Sequence, residues 1–340
     1  MSILVTGGAG YIGSHTCVAL IQAGYDVLIA DNFCNACETV VERIGQIVGH
    51  TVSCERIELC DYKQIQDLFV RHPEIDAVIH FAGLKSVPES MAQPLTYYHN
   101  NLVSTMNLLR AMETYGVNKL VFSSSASVYG DRTPSPVSES APVGDTKSPY
   151  ATTKVMQERM IADITAASGL SAVILRYFNP VGAHESALIG EDPRGIPSNL
   201  VPYIALVAAG KQEKLRVYGA DYATKDGTGI RDYIHIMDLA QGHVAALRKL
   251  EFATGCFTYN LGTGKGYSVL DAVHAYEKAS GKCIPYEITD RREGDIEISY
   301  ADPCKAEKEL GWRAQYDLID MCRSSWHWQQ KNPNGYQEIG

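Results

Sequence analysis

The sequence has no long apolar run. No stretch of its 340 residues approaches the ~18 consecutive apolar residues that a membrane-spanning helix needs. It has no excess of positive charge either. Lys and Arg sum to 30 against 39 Asp and Glu, a net charge of −9 without any block of like charges. That balance argues against nucleic acid or an anionic membrane as the main partner. No secretory leader is visible, because Ser2 runs at once into the strand-like Ile3-Leu4-Val5. Repeats and low-complexity tracts are missing too. The nine cysteines are odd in number and scattered, in a chain large enough to bury its own core, which points to a reducing, cytoplasmic setting rather than a disulfide framework. Cys34 and Cys37 read C-x-x-C, but no second pair lies at zinc-ribbon spacing and the nearest histidine is His50, so no metal site is expected.

What is present is an alternation. Short β-rich apolar runs at 3–6, 27–30, 52–59, 77–81, 120–123 and 172–178 are separated by helix-period stretches, notably 12–23, 97–115 and 150–168. Continuous apolar strands separated by helices predict an α/β fold, a doubly wound parallel sheet covered on both faces. After Asn179 the rhythm breaks into a Gly- and Pro-rich stretch, and a smaller mixed α/β part follows. The expected division is 1–180 and 181–340, with residues near 257–261 returning to the first sheet.

The segment Thr6-Gly7-Gly8-Ala9-Gly10-Tyr11-Ile12-Gly13 follows the first strand and opens a helix. Gly7, Gly10 and Gly13 allow a tight turn, a close backbone approach to a pyrophosphate, and helix–strand packing. Asp31 closes the second strand eighteen residues after Gly13, where a carboxylate accepts adenosine ribose hydroxyls and repels a 2′-phosphate. The cofactor expected is NAD rather than NADP. Further on, Tyr150 and Lys154 are four apart and share a helix face. A nearby ammonium, and the positive ring of an oxidised nicotinamide, stabilise a phenolate, so Tyr150 is expected to be drawn toward neutrality and to act as a base. Ser123-Ser124-Ser125 end a strand of the same sheet, and ligands bind at such carboxyl ends. Ser125 can hydrogen-bond a substrate hydroxyl beside Tyr150.

The full set of motifs resembles the extended short-chain dehydrogenase/reductase family and, within it, the UDP-galactose 4-epimerases. The likeness rests on TGGAGYIGSH at 6–15, ADN at 30–32, VIHFAGLKSVPES at 78–90, VFSSSASVYG at 121–130, SPYATTK at 148–154 and RYFNPVGAH at 176–184. It continues through IPSNLVPYIA at 196–205, DGTGIRDYIHIMDLA at 226–240, YNLGTG at 259–264 and RREGD at 291–295, nearly the full chain.

The resemblance implies a cofactor site around Tyr11 and Ile12 at the pyrophosphate. It adds Asp31, Asn32, Phe33, Cys34, Asn35 and Ala36 at the ribose, and Asp61 and Tyr62 at the adenine. Phe81, Ala82, Gly83, Leu84, Lys85, Asn100, Ser123 and Phe178 complete that cleft. Ser125 and Tyr150 face the sugar, and Lys154 holds the nicotinamide ribose. Lys85, Asn179, Asn199, Leu200, Arg231, Tyr233, Arg292 and Asp295 belong to the UDP-sugar site, where arginine gives bidentate recognition of phosphate. The reaction implied is inversion at C4 of a UDP-hexose through a transient 4-keto sugar, with NAD regenerated in each turnover. Nucleotide-sugar 4,6-dehydratases share the fold and the Tyr/Lys pair but carry an Asp-Glu acid pair after the active-site hydroxyl; here Ala126 and Ser127 follow Ser125. A regulatory NAD-binding protein would have no need of Tyr150, Lys154 and Ser125 together. At position 299 the epimerases restricted to plain UDP-hexoses have tyrosine and this chain has Ser299, which implies room for a 2-acetamido group. Relatives also suggest a homodimer with a face on the 97–115 helix.

Overall fold

Apolar runs with alternate residues turned to opposite faces need cover on both sides, and helices returning the chain to the same edge supply it. In the computed structural model, which describes residues 1–130, 133–195, 197, 199–292 and 295–336, seven such runs form one sheet. They are β1 (Ser2–Thr6), β2 (Asp26–Asp31), β3 (Ser53–Arg56), β4 (Ile75–His80), β5 (Lys119–Ser123), β6 (Ser171–Tyr177) and β7 (Cys256–Leu261). Their order is β7-β6-β5-β4-β1-β2-β3, parallel throughout. Val5, Ile29, Ile79 and Val121 enter one buried apolar cluster, and Leu4, Leu28, Val78 and Leu120 the other. The expected α/β, doubly wound parallel sheet is therefore present, covered on both faces. Its order reverses between β1 and β4, and such a reversal opens a crevice outside the carboxyl ends of the two strands.

Beyond β6 the chain builds smaller pieces. Asn179–Val181 pairs with Tyr233–His235. Ile230–Arg231 lies between Tyr267–Ser268 and Ile298–Ser299. A further apolar cluster gathers the helices Leu200–Ala208, Val269–Ser280 and Leu318–Lys331. No helix among the described residues is long and apolar enough to cross a membrane.

Two elements differ from their expected form. The third strand is shorter than 52–59, because β2, its one neighbour in the sheet, pairs with it only as far as Asp31 opposite Arg56. The 97–115 helix is not continuous. A π-helical turn, His99–Val103, separates Pro94–Tyr98 from Ser104–Tyr115. The wider turn carries buried Asn101, whose amide accepts from Leu84 N–H at 2.8 Å and donates to the Leu84 carbonyl at 3.1 Å and to Thr153 Oγ1 at 3.0 Å. Such π-turns inside helices often mark functional sites.

Candidate active site

The glycine loop fills the crevice at the β1/β4 reversal. Gly7 has φ +70°, and a Cβ there would stand 2.7 Å from Ala82 N. A Cβ on Gly13 would stand 2.3 Å from the Gly7 carbonyl oxygen. The helix Tyr11–Gln22 starts at Gly10 without a side-chain cap, so its first N–H groups remain available to an anion. Tyr11 reaches across to donate to the Gly182 carbonyl at 2.7 Å. Asp31 is buried at the end of β2, and its carboxylate accepts from Ala9 N–H at 3.1 Å and Phe33 N–H at 2.9 Å. Burial pushes this carboxyl up, while those N–H groups and the nearby Arg56 guanidinium oppose the shift. A cradle a methyl group would fill and a carboxylate at the second strand's end are the features a dinucleotide requires, so the residues present fit NAD.

The loop after Asp31 is tightly tied. Asn32 donates to Glu58 at 2.9 Å and accepts from Cys34 N–H at 3.0 Å. Phe33 adopts φ +58° and lies 4.7 Å beneath the Arg56 guanidinium. Arg194 donates to the carbonyls of Cys34, Phe33 and Ala36 at 2.5, 3.4 and 2.9 Å. Asn35 is exposed. Asp61 caps the helix Tyr62–Arg71 by accepting from Lys63 N–H, and Tyr62 packs under Arg110.

On the other side of the crevice, Phe81 and Ala82 both donate to the Thr6 carbonyl, and the Phe81 ring lies 4.7 Å from the His243 ring. Gly83 and Leu84 sit against Asn101, and Lys85 faces Glu191 at 4.0 Å. Asn100 lies in the π-turn and accepts from Cys60 through its carbonyl.

The helix Pro149–Ala167 starts at Ser148, whose hydroxyl accepts from Ala151 N–H, with proline in its first turn. It brings buried Tyr150 and Lys154 to the end of β5. Lys154 Nζ donates to the Ser123 carbonyl at 2.9 Å. Ser125 Oγ accepts from Ser127 N–H at 3.2 Å and Ser127 Oγ at 3.0 Å, which frees its own proton for the hydrogen bond with Tyr150. Ser123 Oγ and Tyr177 Oη are 2.8 Å apart, and Phe178 is buried beside Val128, Tyr129 and Ala301. The electrostatics depart from expectation. Burial raises the Tyr150 phenol, partly opposed by the Ser125 hydrogen bond, and burial lowers Lys154 to about 8. Desolvation is the largest influence on both groups, so Tyr150 is raised where the spacing of the pair predicts a lowering.

The remaining predicted residues lie on the smaller pieces. Asn179 opens the strand paired with Tyr233, which is buried. Asn199 precedes the helix Leu200–Ala208 and donates to Glu191 at 3.1 Å, with Leu200 its first residue. Arg292 pairs with Asp295 at 3.0 Å and stacks over Tyr218 at 4.6 Å. Arg231 and Ser299 are register partners in parallel strands, so they share a face, while Tyr300 turns to the other and lies against Gly266. Among the described residues no cluster of His, Cys, Asp and Glu could hold a metal ion.

Several residues of the site were missed in the sequence. Asp232 is fully buried and collects Thr263 N–H, Thr263 Oγ1, Gly264 N–H and Ala301 N–H at 2.6 to 3.1 Å. Asn101, Arg194 and Glu158 are likewise structural members of it. Asp232 stands between two predicted residues, Arg231 and Tyr233, and Glu158 continues the four-residue spacing of Tyr150 and Lys154; those were the available signals.

Comparison with known proteins gives the same architecture. A family model described as GDP-mannose 4,6 dehydratase matches residues 4–325. A UDP-glucose 4-epimerase of Bacillus subtilis is 56% identical over 338 residues, covering 99% of each chain. The crystal structure of UDP-glucose 4-epimerase from Bifidobacterium longum, in complex with NAD+ and UDP, superposes with a TM-score of 0.95 at 52% identity, covering 98% of this chain and all of that one. A Stenotrophomonas maltophila UDP-glucose-4-epimerase with bound NAD and formylated UDP-arabinopyranose gives 0.96 at 50% identity, covering 98% of this chain and 99% of that one.

Proposed function

The chain belongs to the UDP-glucose 4-epimerases of the extended short-chain dehydrogenase/reductase family, and from that premise we infer that it inverts C4 of UDP-hexoses, interconverting UDP-galactose and UDP-glucose with bound NAD. The observation that carries this reading is the convergence of Tyr150, Ser125 and Lys154 at the end of β5, beside the glycine cradle at the β1/β4 reversal.

Gly7, Gly10, Gly13, Asp31 and Lys154 would hold the cofactor. When bound, NAD supplies the hydride acceptor and donor for C4 and a positive charge that favours the Tyr150 phenolate. Tyr150 takes the O4 proton as C4 is oxidised to the 4-keto sugar, and returns it after the sugar has presented its other face. Ser125 donates to the phenolate and orients O4. Arg231 and Arg292 hold the diphosphate, which leaves the sugar free to turn. The division of labour assigns residues 1–180 to the cofactor and 181–340 to the UDP-sugar, except that β7 returns to the first sheet beside β6.

Three finer readings accompany this. Ser299 shares the face of Arg231, so its small side chain supports acceptance of UDP-GlcNAc and UDP-GalNAc. Exposed Met91, Leu95 and Met106, on and before the 97–115 segment, support a homodimer face. The nine free thiols support a cytoplasmic setting.

The test is incubation of the purified protein with UDP-galactose, without added nicotinamide nucleotide. UDP-glucose is the expected product. A 4-keto-6-deoxy product would instead indicate a dehydratase, against which stand Ala126 and Ser127 after Ser125.

A further inference from the structure

The helix Pro149–Ala167 presents Tyr150, Lys154 and Glu158 four residues apart on one face. Each meets a different one of the three serines that end β5 and open the turn after it. Tyr150 shares a hydrogen bond with Ser125, and Lys154 donates to the Ser123 carbonyl at 2.9 Å. Ser124 Oγ donates to Glu158 Oε1 at 2.5 Å. The first two contacts belong to the reacting groups, and the third lies behind them.

Glu158 is itself held. Arg176 from β6 gives it Nε at 3.0 and 3.2 Å and Nη2 at 2.6 Å, with both side chains 8% exposed. Arg176 Nη1 donates to Tyr129 Oη at 3.1 Å, and Tyr129 donates to Asn260 Oδ1 on β7 at 2.6 Å. Apolar residues of the same volume generally stabilise a protein as well as a buried pair like this one, so stability alone does not account for it.

We propose that Glu158, clamped by Arg176, is a positioning residue for the epimerisation: through Ser124 it sets the turn that places the Ser123 carbonyl against Lys154 and Ser125 against Tyr150. The inference rests on the function given above. A second effect follows from the same placement. Burial lowers Lys154 to about 8, and the Glu158 charge opposes that shift. Of the other titratable groups here, His80 from β4 faces Lys154, and Tyr177 from β6 faces Tyr150 on the same helix as Lys154. His80 is pushed down to about 3 by burial and by Lys154 itself, and is therefore neutral.

The experiment measures kcat and KM for UDP-galactose between about pH 6 and pH 10. It uses the full-length holoenzyme as wild type, Glu158→Gln, Glu158→Asp and Ser124→Ala. Glu158→Gln removes the charge, so the alkaline limb of kcat is expected to move down by about one pH unit. Its kcat is expected to fall about tenfold, the order of effect that misplaced catalytic groups produce, with KM nearly unchanged. Glu158→Asp keeps the charge and is expected to keep the limb. Ser124→Ala is expected to lower kcat several-fold with the limb in place. A folded Glu158→Gln enzyme with wild-type kcat and wild-type limb overturns the proposal. If that variant does not fold, Ser124→Ala decides, and wild-type kcat in it overturns the proposal. Wild-type protein without turnover refutes the functional reading and the proposal together, whereas active wild type with insensitive variants refutes the role of Glu158 alone.

Discussion

Replacing Asp232 by asparagine keeps the volume of the side chain and removes its charge. The carboxylate accepts four hydrogen bonds: Oδ1 from Thr263 N–H at 2.9 Å and Thr263 Oγ1 at 2.6 Å, Oδ2 from Gly264 N–H at 3.0 Å and Ala301 N–H at 3.1 Å. An amide cannot accept at both ends. Its better orientation keeps oxygen toward Gly264 and Ala301 and turns NH2 toward Thr263, whose hydroxyl can rotate to accept. Thr263 N–H is then left unpaired in the interior, at about 1–3 kcal/mol, and two charge-assisted bonds become neutral ones, losing roughly half their strength. Relief of the desolvation that raises the Asp232 carboxyl offsets part of this. The net cost is about 2 kcal/mol, or roughly a 3 °C lower Tm, because ~2.1 cal/mol/K per residue over 340 residues converts 1 kcal/mol to about 1.4 °C. Alanine orphans all four donors, and at ~1–3 kcal/mol each its cost approaches the whole of an ordinary stability of ~5–15 kcal/mol.

The functional consequence is local. Asp232 N–H also donates to the Ser299 carbonyl at 3.0 Å, so this residue ties together the strands that carry Arg231 and Ser299. Tyr150, Lys154 and Ser125 lie on other elements. Differential scanning calorimetry and steady-state kinetics are therefore expected to show a lower Tm and a several-fold higher KM for UDP-galactose in Asp232→Asn, with a smaller change in kcat. Wild-type Tm and KM in that variant would refute the account of the clasp.

Tyr150→Phe removes the proton acceptor and keeps the ring, so kcat is expected to fall by about 10²–10⁴ with NAD still bound, checked by turnover and by the absorbance of copurified cofactor. Near wild-type kcat would mean another group takes the proton. Ser299→Tyr fills the face shared with Arg231, so kcat/KM for UDP-GlcNAc is expected to fall about tenfold or more while that for UDP-galactose changes little. Equal loss on both substrates counts against a steric gate. Burial pushes His15 and His80 down to about 3 and His235 and His243 to about 4. Below pH 6.5 only the unfolded chain binds these protons, so the stability present above that pH is lost as pH falls, on the order of 1 kcal/mol per histidine by pH 5.5. Thermal unfolding between pH 7.5 and 5 is expected to show a falling midpoint, and a flat one contradicts the buried neutral rings.

The strand, glycine turn and helix at 2–22 were legible because everything that forms them is local: apolar β-formers, glycines where a Cβ would collide, and a helix that begins without a side-chain cap. The Tyr150/Lys154 pair was legible for the same reason, since four residues make a helix face whatever surrounds it. Tertiary structure alone decided what these groups meet. Asn101 bonds Thr153 across 52 residues, and Arg194 bonds the loop after Asp31 across 158 to 161. No sequence period encodes such contacts. The π-turn at His99–Val103 breaks a helical pattern because a buried amide must reach the Leu84 backbone, a demand set by a different segment. The state of Tyr150 went the same way. Spacing places a lysine near it, but burial, which only packing fixes, is the largest influence on the phenol and raises it. Ser299 was named from the sequence; its face was fixed by pairing with Ile230–Arg231, because a shift of one residue would have turned Tyr300 there in its place.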